Sequence, residues 1–431
     1  MKAAAGANKN KTGFEPLEAG LVRSLVGGIQ DILPLPSVVN AILKMVNDPY
    51  ASLGRVSETI LLDQALTAKV LKLINSAYYG VNTPVASVSQ AVSLLGLDKI
   101  KNLAMAISLA EGLYHFSGLP FGRGALWHHS QACGVATSLV AEAAGYPNPE
   151  EALIAGLIHD IAKALWTELF PERFLAAIKA VQVEGRDPLE VEVEYLTVPH
   201  ATVGAWMLEK WQLPEIFLQA VALHHEPQVE KVDPPLLFLS RSLYLGNQMA
   251  KLLNLGEGGN YRLGPLPRNL LQDLHLSRED LVAQVQALPS AFFDFVEELK
   301  LEGARNARLD SLLDWLKPRQ VLLLATDQDL GPASLFFEAF AGQTRILPWE
   351  DLPQAEVGSS DLLFWEGEDV GEAISLWRHQ AAKIPRGRLL LFCQRPCPQV
   401  EKAAPGSGMH LLGPEWRLEE LLKAVSPEQV A

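Results

Sequence analysis

Apolar residues recur at helical spacing almost continuously from Leu21 to about Lys300, and after Pro318 short apolar runs alternate with helical stretches. In the first part Leu66, Val70, Leu73 and Ile74 share one helix face, and Val88, Ala91, Val92 and Leu95 share another that stops at Gly96. Asn148, Pro149 and Glu151 combine a cap, a first-turn proline and an acid near the positive end of the helix dipole, and predict one helix running through Trp166. Leu213-Pro214 opens a further helix that Pro227 closes, which puts His224 and His225 near its C-terminal end. Val321–Ala325, Asp361–Trp365 and Arg388–Phe392 read as buried strands. Helices are expected between them, one containing Leu335, Phe336 and Phe340 and one at Glu372–Ala382, with a further one at the end, Leu418–Val425. This alternation predicts a small doubly wound α/β domain, with functional loops at the carboxyl ends of its strands, at Ala325–Asp329, Glu366-Gly367, Cys393 and Gly413.

Composition narrows the class. A chain of 431 residues, 48% hydrophobic and 20% charged, has the make-up of a folded protein of two or three domains. The 36 basic and 50 acidic residues leave a net charge of −14, which argues against nucleic acid and anionic membranes as partners. No apolar run reaches the length of a membrane span, and Met1–Thr12 carries Lys2, Lys9 and Lys11 without the apolar core of a signal peptide. That stretch reads as a loose tail and the cytoplasm as the location. Three cysteines, Cys133, Cys393 and Cys397, suit a reducing compartment better than a disulfide framework.

The main chemical signal is a density of histidines. Six of ten, His128, His129, His159, His200, His224 and His225, lie between residues 128 and 225, and Asp160 follows His159. Taken singly each reads as a satisfied interior or surface group; together with a carboxylate they suit a divalent transition metal such as Fe, Mn or Zn, and helices can gather such ligands from distant parts of a chain. Adjacent helical residues point about 100° apart, so His159 and Asp160 would flank one cavity without facing the same way. A metal held there could polarise a phosphoryl oxygen and supply a hydroxide, given a free position for substrate. Lys163 reads as a helix-surface lysine, with charge neutralisation of a phosphate as its functional alternative. Asn75 and Ser76 read as a helix cap, and Trp127, Trp206 and Trp211 as core.

The succession Leu33-Pro34-Leu35-Pro36-Ser37, Leu62–Leu71, Ile74–Ala77, Ser89–Gly96, Leu126–Ser130, Ala155–Lys163, His200–Gly204, Trp211–Glu215 and His224-His225 resembles an HDOD domain. The resemblance covers roughly residues 20–254. It implies an all-helical relative of the HD and HD-GYP metal-dependent phosphohydrolases, in a family of bacterial signalling proteins mostly without demonstrated catalysis. It places metal ligands on His129, His159, Asp160, His200, His224 and His225. The closing aspartate of the catalytic relatives falls on Asn247, a neutral amide and a weaker ligand than a carboxylate. No Gly-Tyr-Pro follows His225, so cyclic di-GMP hydrolysis is not supported.

The last 110 or so residues resemble a response-regulator receiver domain, flavodoxin-like in fold. The resemblance puts the acid pair on Ala325 and Thr326, the phosphoacceptor on Glu366, the switch residue on Cys393 and the lysine on Gly413, so no phosphorylation is expected. A shift of two residues would restore acids at Asp327 and Asp329 but not the lysine. Glu366 itself reads as a solvated loop glutamate, with a permanently set conformation as the alternative. The chain therefore divides into a tail (1–20), an HDOD domain (21–254), a helical extension (255–316) and a pseudo-receiver-like α/β domain (317–431). The expected function is signal regulation through contacts with other signalling proteins, around a bound metal or none, with no catalytic residue assigned. The alternatives are a metal-dependent phosphohydrolase or phosphodiesterase and a sensor of a nucleotide or phosphate ligand.

Overall fold

The computed structural model describes residues 14–15, 17–29, 35, 37–46, 60–61, 63–76, 79, 81, 84–112, 124–226, 228, 232–299, 307–325, 331–348, 362–367, 388–393, 409–412 and 416–425. The predicted tail at Met1–Thr12, the predicted helix at Glu372–Ala382, and Pro227, Thr326, Asp327, Asp329, Cys397 and Gly413 lie outside these residues. None of the described helices is long and apolar enough to cross a membrane.

Helices α1 (Ala19–Gly27), α2 (Ser37–Val46), α3 (Gln64–Ile74), α4 (Val88–Leu95) and α5 (Leu97–Gly112) form the first group. Asp63 starts α3 by accepting from the Leu66 amide at 3.0 Å, and Asn75 ends it. The Asn75 amide donates to Leu71 O and Val85 O, both at 2.8 Å, and its carbonyl accepts from Val85 N at 2.7 Å, so this one side chain fixes the approach to α4. The cap expected of Asn75 and Ser76 is thus present, Ser76 Oγ donating to Leu73 O at 2.7 Å. Ser87 caps α4, and Gly96, at φ 88°, ends it in a conformation that favours glycine.

The second group comprises α6 (Ala125–Ala143), α7 (Pro149–Ile158), α8 (Ile161–Leu169), α9 (Pro171–Glu184), α10 (Pro188–Leu196), α11 (His200–Lys210), α12 (Glu215–Leu223) and α13 (Pro234–Leu252). Helix α6 is buried on nearly every side, against α7, α13 and a later helix at Arg278–Glu298. Its backbone touches that of α7: a Cβ on Gly156 would lie 2.5 Å from Gly134 Cα and 2.7 Å from Cys133 O. The single helix predicted from Asn148 through Trp166 is two helices. His159 Nδ1 bonds Gly156 O at 2.7 Å and Asp160 leaves helical geometry at φ −101°, ψ 13°, so the chain restarts at Ile161. Trp127 and Trp211 are core as expected, whereas Trp206 is half-buried with the Arg23 guanidinium 5.3 Å above its ring.

Helices α14 (Arg268–Asp273), α15 (Arg278–Glu298) and α16 (Ala307–Leu316) lead to a sheet of β1 (Gln320–Ala325), β2 (Gln343–Pro348), β3 (Leu362–Gly367), β4 (Arg388–Cys393) and β5 (Met409–Leu412). Helix α17 (Ser334–Phe340) joins β1 to β2, and α18 (Leu418–Val425) follows β5. All pairings are parallel in the order β2-β1-β3-β4-β5, with Leu323 opposite both Ile346 and Phe364. Strand β2 was not predicted. It pairs only with β1 at the sheet edge, and Ile346 is exposed, so it carries no buried apolar run to read. Trp416 fills one face of the sheet, its ring 5.3 Å from Phe392 and 5.9 Å from Phe336.

Candidate metal centre

Four separate elements deliver the histidines. His129 projects from α6, His159 and Asp160 occupy the α7–α8 break, His200 opens α11, and His224 and His225 follow α12. The break is what turns both residues of the His-Asp pair toward one point, which an unbroken helix would not do. His129, His159 and Asp160 form one potential ligand group, and His200, His224 and His225 a second. Asp160 links them. Its Oδ2 lies 3.3 Å from His159 Nε2 and 3.8 Å from His129 Nε2, and its Oδ1 lies 3.1 Å from His200 Nε2 and 3.8 Å from His224 Nε2. His128 belongs to neither group.

The rings are oriented from behind. His159 Nδ1 bonds Gly156 O at 2.7 Å, His224 Nδ1 bonds Val221 O at 2.6 Å, and His200 Nδ1 bonds the Glu192 carboxylate at 2.6 Å. Glu192 also accepts from the His200 amide at 2.8 Å, so it fixes both the ring and the start of α11. Carbonyl and carboxylate acceptors hold the proton on Nδ1 and aim Nε2 inward, the arrangement that orients metal ligands. His200 Nε2 then meets His224 Nε2 at 3.2 Å and His225 Nε2 at 3.1 Å. Three nitrogens with inward lone pairs at that separation need a proton or a cation among them. The buried His129 Nε2 has no hydrogen-bond partner among the described residues. The donor set fits a divalent transition metal.

Burial and neighbours set the charges. Burial lowers the pKa of His129, His224 and His225 well below the usual imidazole range, with neighbouring histidines adding to the effect. Burial also pushes His159 down, but the Asp160 carboxylate and the Cys133 sulfur together more than offset it and hold the ring at about 10. For Asp160 burial works upward, and His159 and Lys163 outweigh it, keeping the carboxyl well below its ordinary range.

Lys163 is not on the surface. The α8 start places it inward, and its buried ammonium donates to Asp160 Oδ2 and to Gly258 O, both at 2.7 Å. Residues 256–260 roof the site. A Cβ on Gly258 would lie 2.8 Å from His129 Cδ2 and 3.4 Å from Asp160 Oδ2, so this backbone lies directly over the ligands. Glu257 N donates to Ala125 O at 2.8 Å, and Lys251 Nζ reaches Asn260 Oδ1 at 3.0 Å. A cavity of about 20 Å3 beside the roof, bounded by Lys163, Glu192 and Gly258, has room for a single water.

Asn247 is buried on α13 and joins neither ligand group. Glu366, expected as a solvated loop residue, sits in β3, half-buried, where its carboxylate accepts from Ala333 N and Ser334 N at 3.2 Å. It is a strand residue capping α17, because Gly331 leaves room that any Cβ would fill, 2.1 Å from the Glu366 carboxyl carbon. Sequence reasoning missed Glu192, Gly258 and the inward course of Lys163. Only Lys163, one turn beyond Asp160, carried a local signal.

A helical bundle enclosing a histidine–aspartate centre is the class this fold and site define. Residues 32–227 match the model of the HDOD domain, and the chain carries an HDOD domain there. An uncharacterized protein of Treponema pallidum (strain Nichols) is 29% identical over 280 residues, covering 63% of this chain and 52% of that protein. The chain thus spans about half the length of that relative. An HDOD domain protein of unknown function from Geobacter sulfurreducens superposes with a TM-score of 0.53 at 22% identity, over 65% of this chain and 99% of that one. A candidate signal transduction protein from Marinobacter aquaeolei VT8 gives 0.50 at 22%, over 69% and 68%. These two structures share the fold.

Proposed function

We propose that this protein is a bacterial, cytoplasmic signalling regulator whose HDOD module binds other signalling proteins around one divalent cation and does not hydrolyse a substrate. The observation that supports this most is the closed roof: Gly258 stands over His129 and Asp160, and Lys163 ties roof and carboxylate together. Metal-dependent hydrolysis needs an open coordination position and a path for the ester, and the cavity that Lys163, Glu192 and Gly258 line among the described residues has room only for water. His200, His224, His225 and Asp160 Oδ1 would hold the cation, which would fix α8, α11 and α12 against one another. His129, His159 and Asp160 Oδ2 complete the set on the side that Lys163 already neutralises.

The α/β part would act as a degenerate receiver. Its strand order is that of flavodoxin-like sheets, and Glu366, in the phosphoacceptor position of the resemblance, holds α17 in one fixed arrangement. We place the division as read from the sequence, with the HDOD domain at 21–254, the extension at 255–316 and the α/β domain at 317–431.

The second reading, a phosphohydrolase, is favoured by one feature, the bridging of two imidazole groups by Asp160, which suits a pair of metal ions. Elemental analysis of the full chain beside a His159→Ala, Asp160→Ala double variant, together with phosphomonoester and phosphodiester assays, separates the two. About one equivalent of Fe, Mn or Zn, lost in the double variant and without turnover, is the expected result. Turnover abolished by the double variant would establish the enzyme, and absence of metal would remove the cation from the reading.

A further inference from the structure

The roof over the metal centre is held from its other side by the α/β domain, through residues some 160 positions away in sequence. Trp416, whose ring lies in the aromatic core of the sheet, donates its indole N–H to Leu252 O at 2.8 Å, at the last turn of α13. Its backbone N–H donates to Tyr261 O at 3.1 Å. These two bonds bracket the roof, one on each flank of residues 253–260. Asn254, at φ 48°, completes the clasp: its Nδ2 donates to Trp416 O at 3.2 Å and its Oδ1 accepts from Leu418 N at 3.3 Å. The Arg417 guanidinium lies 4.8 Å over the Tyr261 ring, and its charge also acts on Glu257 within the roof.

We propose that Trp416-Arg417-Leu418 is a latch by which the α/β domain keeps the roof closed, so that the position of that domain governs access to the histidine–aspartate centre. Three features support the assignment. The bonds run from one domain to the two ends of a single ten-residue segment rather than being scattered over an interface. Its other described anchors, chiefly Glu257 N on Ala125 O, Leu255 N on Ala250 O, Gln182 on Gly259 O, the two lysines Lys163 and Lys251 and the buried Leu253 and Leu255, all belong to the helical part of the chain. And Gly258, in the middle, is the residue whose displacement would uncover His129 and Asp160. A movement of the sheet that carries Trp416 away from Leu252 would release both flanks together. Opening would expose a preformed cation site, whereas the closed state seals it. The inference rests on the metal reading only for the second of its two readouts.

The test uses the full chain with Asn254→Gly alone and with Trp416→Phe and Arg417→Ala added. Glycine retains the positive φ and removes the side-chain bonds to Trp416 and Leu418 along with the local one to Lys251 O, phenylalanine keeps an aromatic ring in the core while removing the N–H, and alanine removes the cation over Tyr261. Hydrogen–deuterium exchange of residues 255–261 should accelerate roughly tenfold in the single variant and roughly hundredfold in the triple variant, with β1 unchanged. Protein loaded with Zn2+ should release it to excess chelator faster in the same order. Unchanged exchange at 255–261 in both variants would overturn the latch. If the triple variant also loosens β1, the Asn254→Gly variant, which removes no core atom, decides the matter by the same criterion. If the wild type takes up no Zn2+, the metal reading fails and the exchange measurement still decides the latch.

Discussion

Replacing Lys163 by methionine tests whether a buried ammonium is part of the metal centre. Its Nζ bridges Asp160 Oδ2 and Gly258 O, each at 2.7 Å, with almost no solvent access. Methionine keeps most of the side-chain volume and removes the charge and both hydrogen bonds. Breaking a buried ion pair by deleting one partner costs about 3–5 kcal/mol, since the remaining charge stays buried without its nearest counterion. Over a unit of this size each kcal/mol moves the melting temperature by roughly 2–4 °C, so metal-free Lys163→Met should melt roughly 6–20 °C below wild type. A divalent cation should reverse most of that loss by neutralising Asp160 in place of the ammonium. The same substitution should raise the metal content from about one equivalent toward two, because it frees the Oδ2 side shared with His129 and His159. Thermal unfolding in chelator and in excess Mn2+, with elemental analysis of each form, measures both effects. A variant within about 0.5 kcal/mol of wild type in chelator, the range of ordinary surface substitutions, would refute the placement of Lys163.

Glu192→Gln removes the charged acceptor behind His200 and should weaken metal binding about 10- to 100-fold by calorimetric titration with Zn2+, leaving the helical signal in circular dichroism intact. Gly156→Ala drives a Cβ into the Gly134 backbone, 2.5 Å from its Cα, and should cost at least about 1–3 kcal/mol in denaturant unfolding by separating α6 from α7. The stability of the metal-free protein should depend on pH through His159. Its folded pKa, about 10, lies above the ordinary 6.5, so the stabilisation is fully present below about pH 6.5 and is lost as pH rises to about 10. Unfolding in chelator at pH 6 and pH 10 would show the fall, and a rise across that interval after His159→Gln subtraction would contradict it.

The helical character of the described part of residues 21–299 and the strands β1, β3 and β4 were legible because their apolar positions are buried and so carry a clear period. The edge strand β2 has no such period and was missed. At the site, the imidazoles and Asp160 could be named from their density and order, but their geometry could not. Helix signals ran unbroken from Pro149 to Trp166, and the break that turns His159 and Asp160 together depends on a side chain bonding the Gly156 carbonyl within the tertiary fold. Lys163 looked like a surface residue because helix periodicity says nothing about a loop arriving from residues 256–260 to cover it. Glu192 acts on His200 from eight residues away and Trp416 on Leu252 from the far end of the chain, separations at which no local pattern exists.

Charge accounting explains why one cation suits this centre better than two. The buried ionisable groups around the imidazoles are Asp160, Glu192, Lys163 and Lys251, two negative and two positive, so the enclosure is formally neutral with neutral histidines. In the metal-free form the proton that His159 retains sits against Asp160, and the Glu192 and Asp160 carboxylates favour a second proton on His200 against the effect of burial. A divalent ion held by His200, His224, His225 and Asp160 Oδ1 would take the place of a proton on His200 Nε2, while a second ion would have to displace the His159 proton and would bring two further charges beside the Lys163 ammonium, at an oxygen already shared. In a dry enclosure the repulsion between such charges is several times what it is in water. Lysines at 163 and 251 thus supply internally the positive charge that a second metal would bring, and both hold the roof, through Gly258 and Asn260. Electrostatic balance and closure are therefore one arrangement: whatever lifts residues 256–260 also withdraws one hydrogen-bond acceptor from each lysine, and the same movement that opens the centre alters the charge that its ligands face.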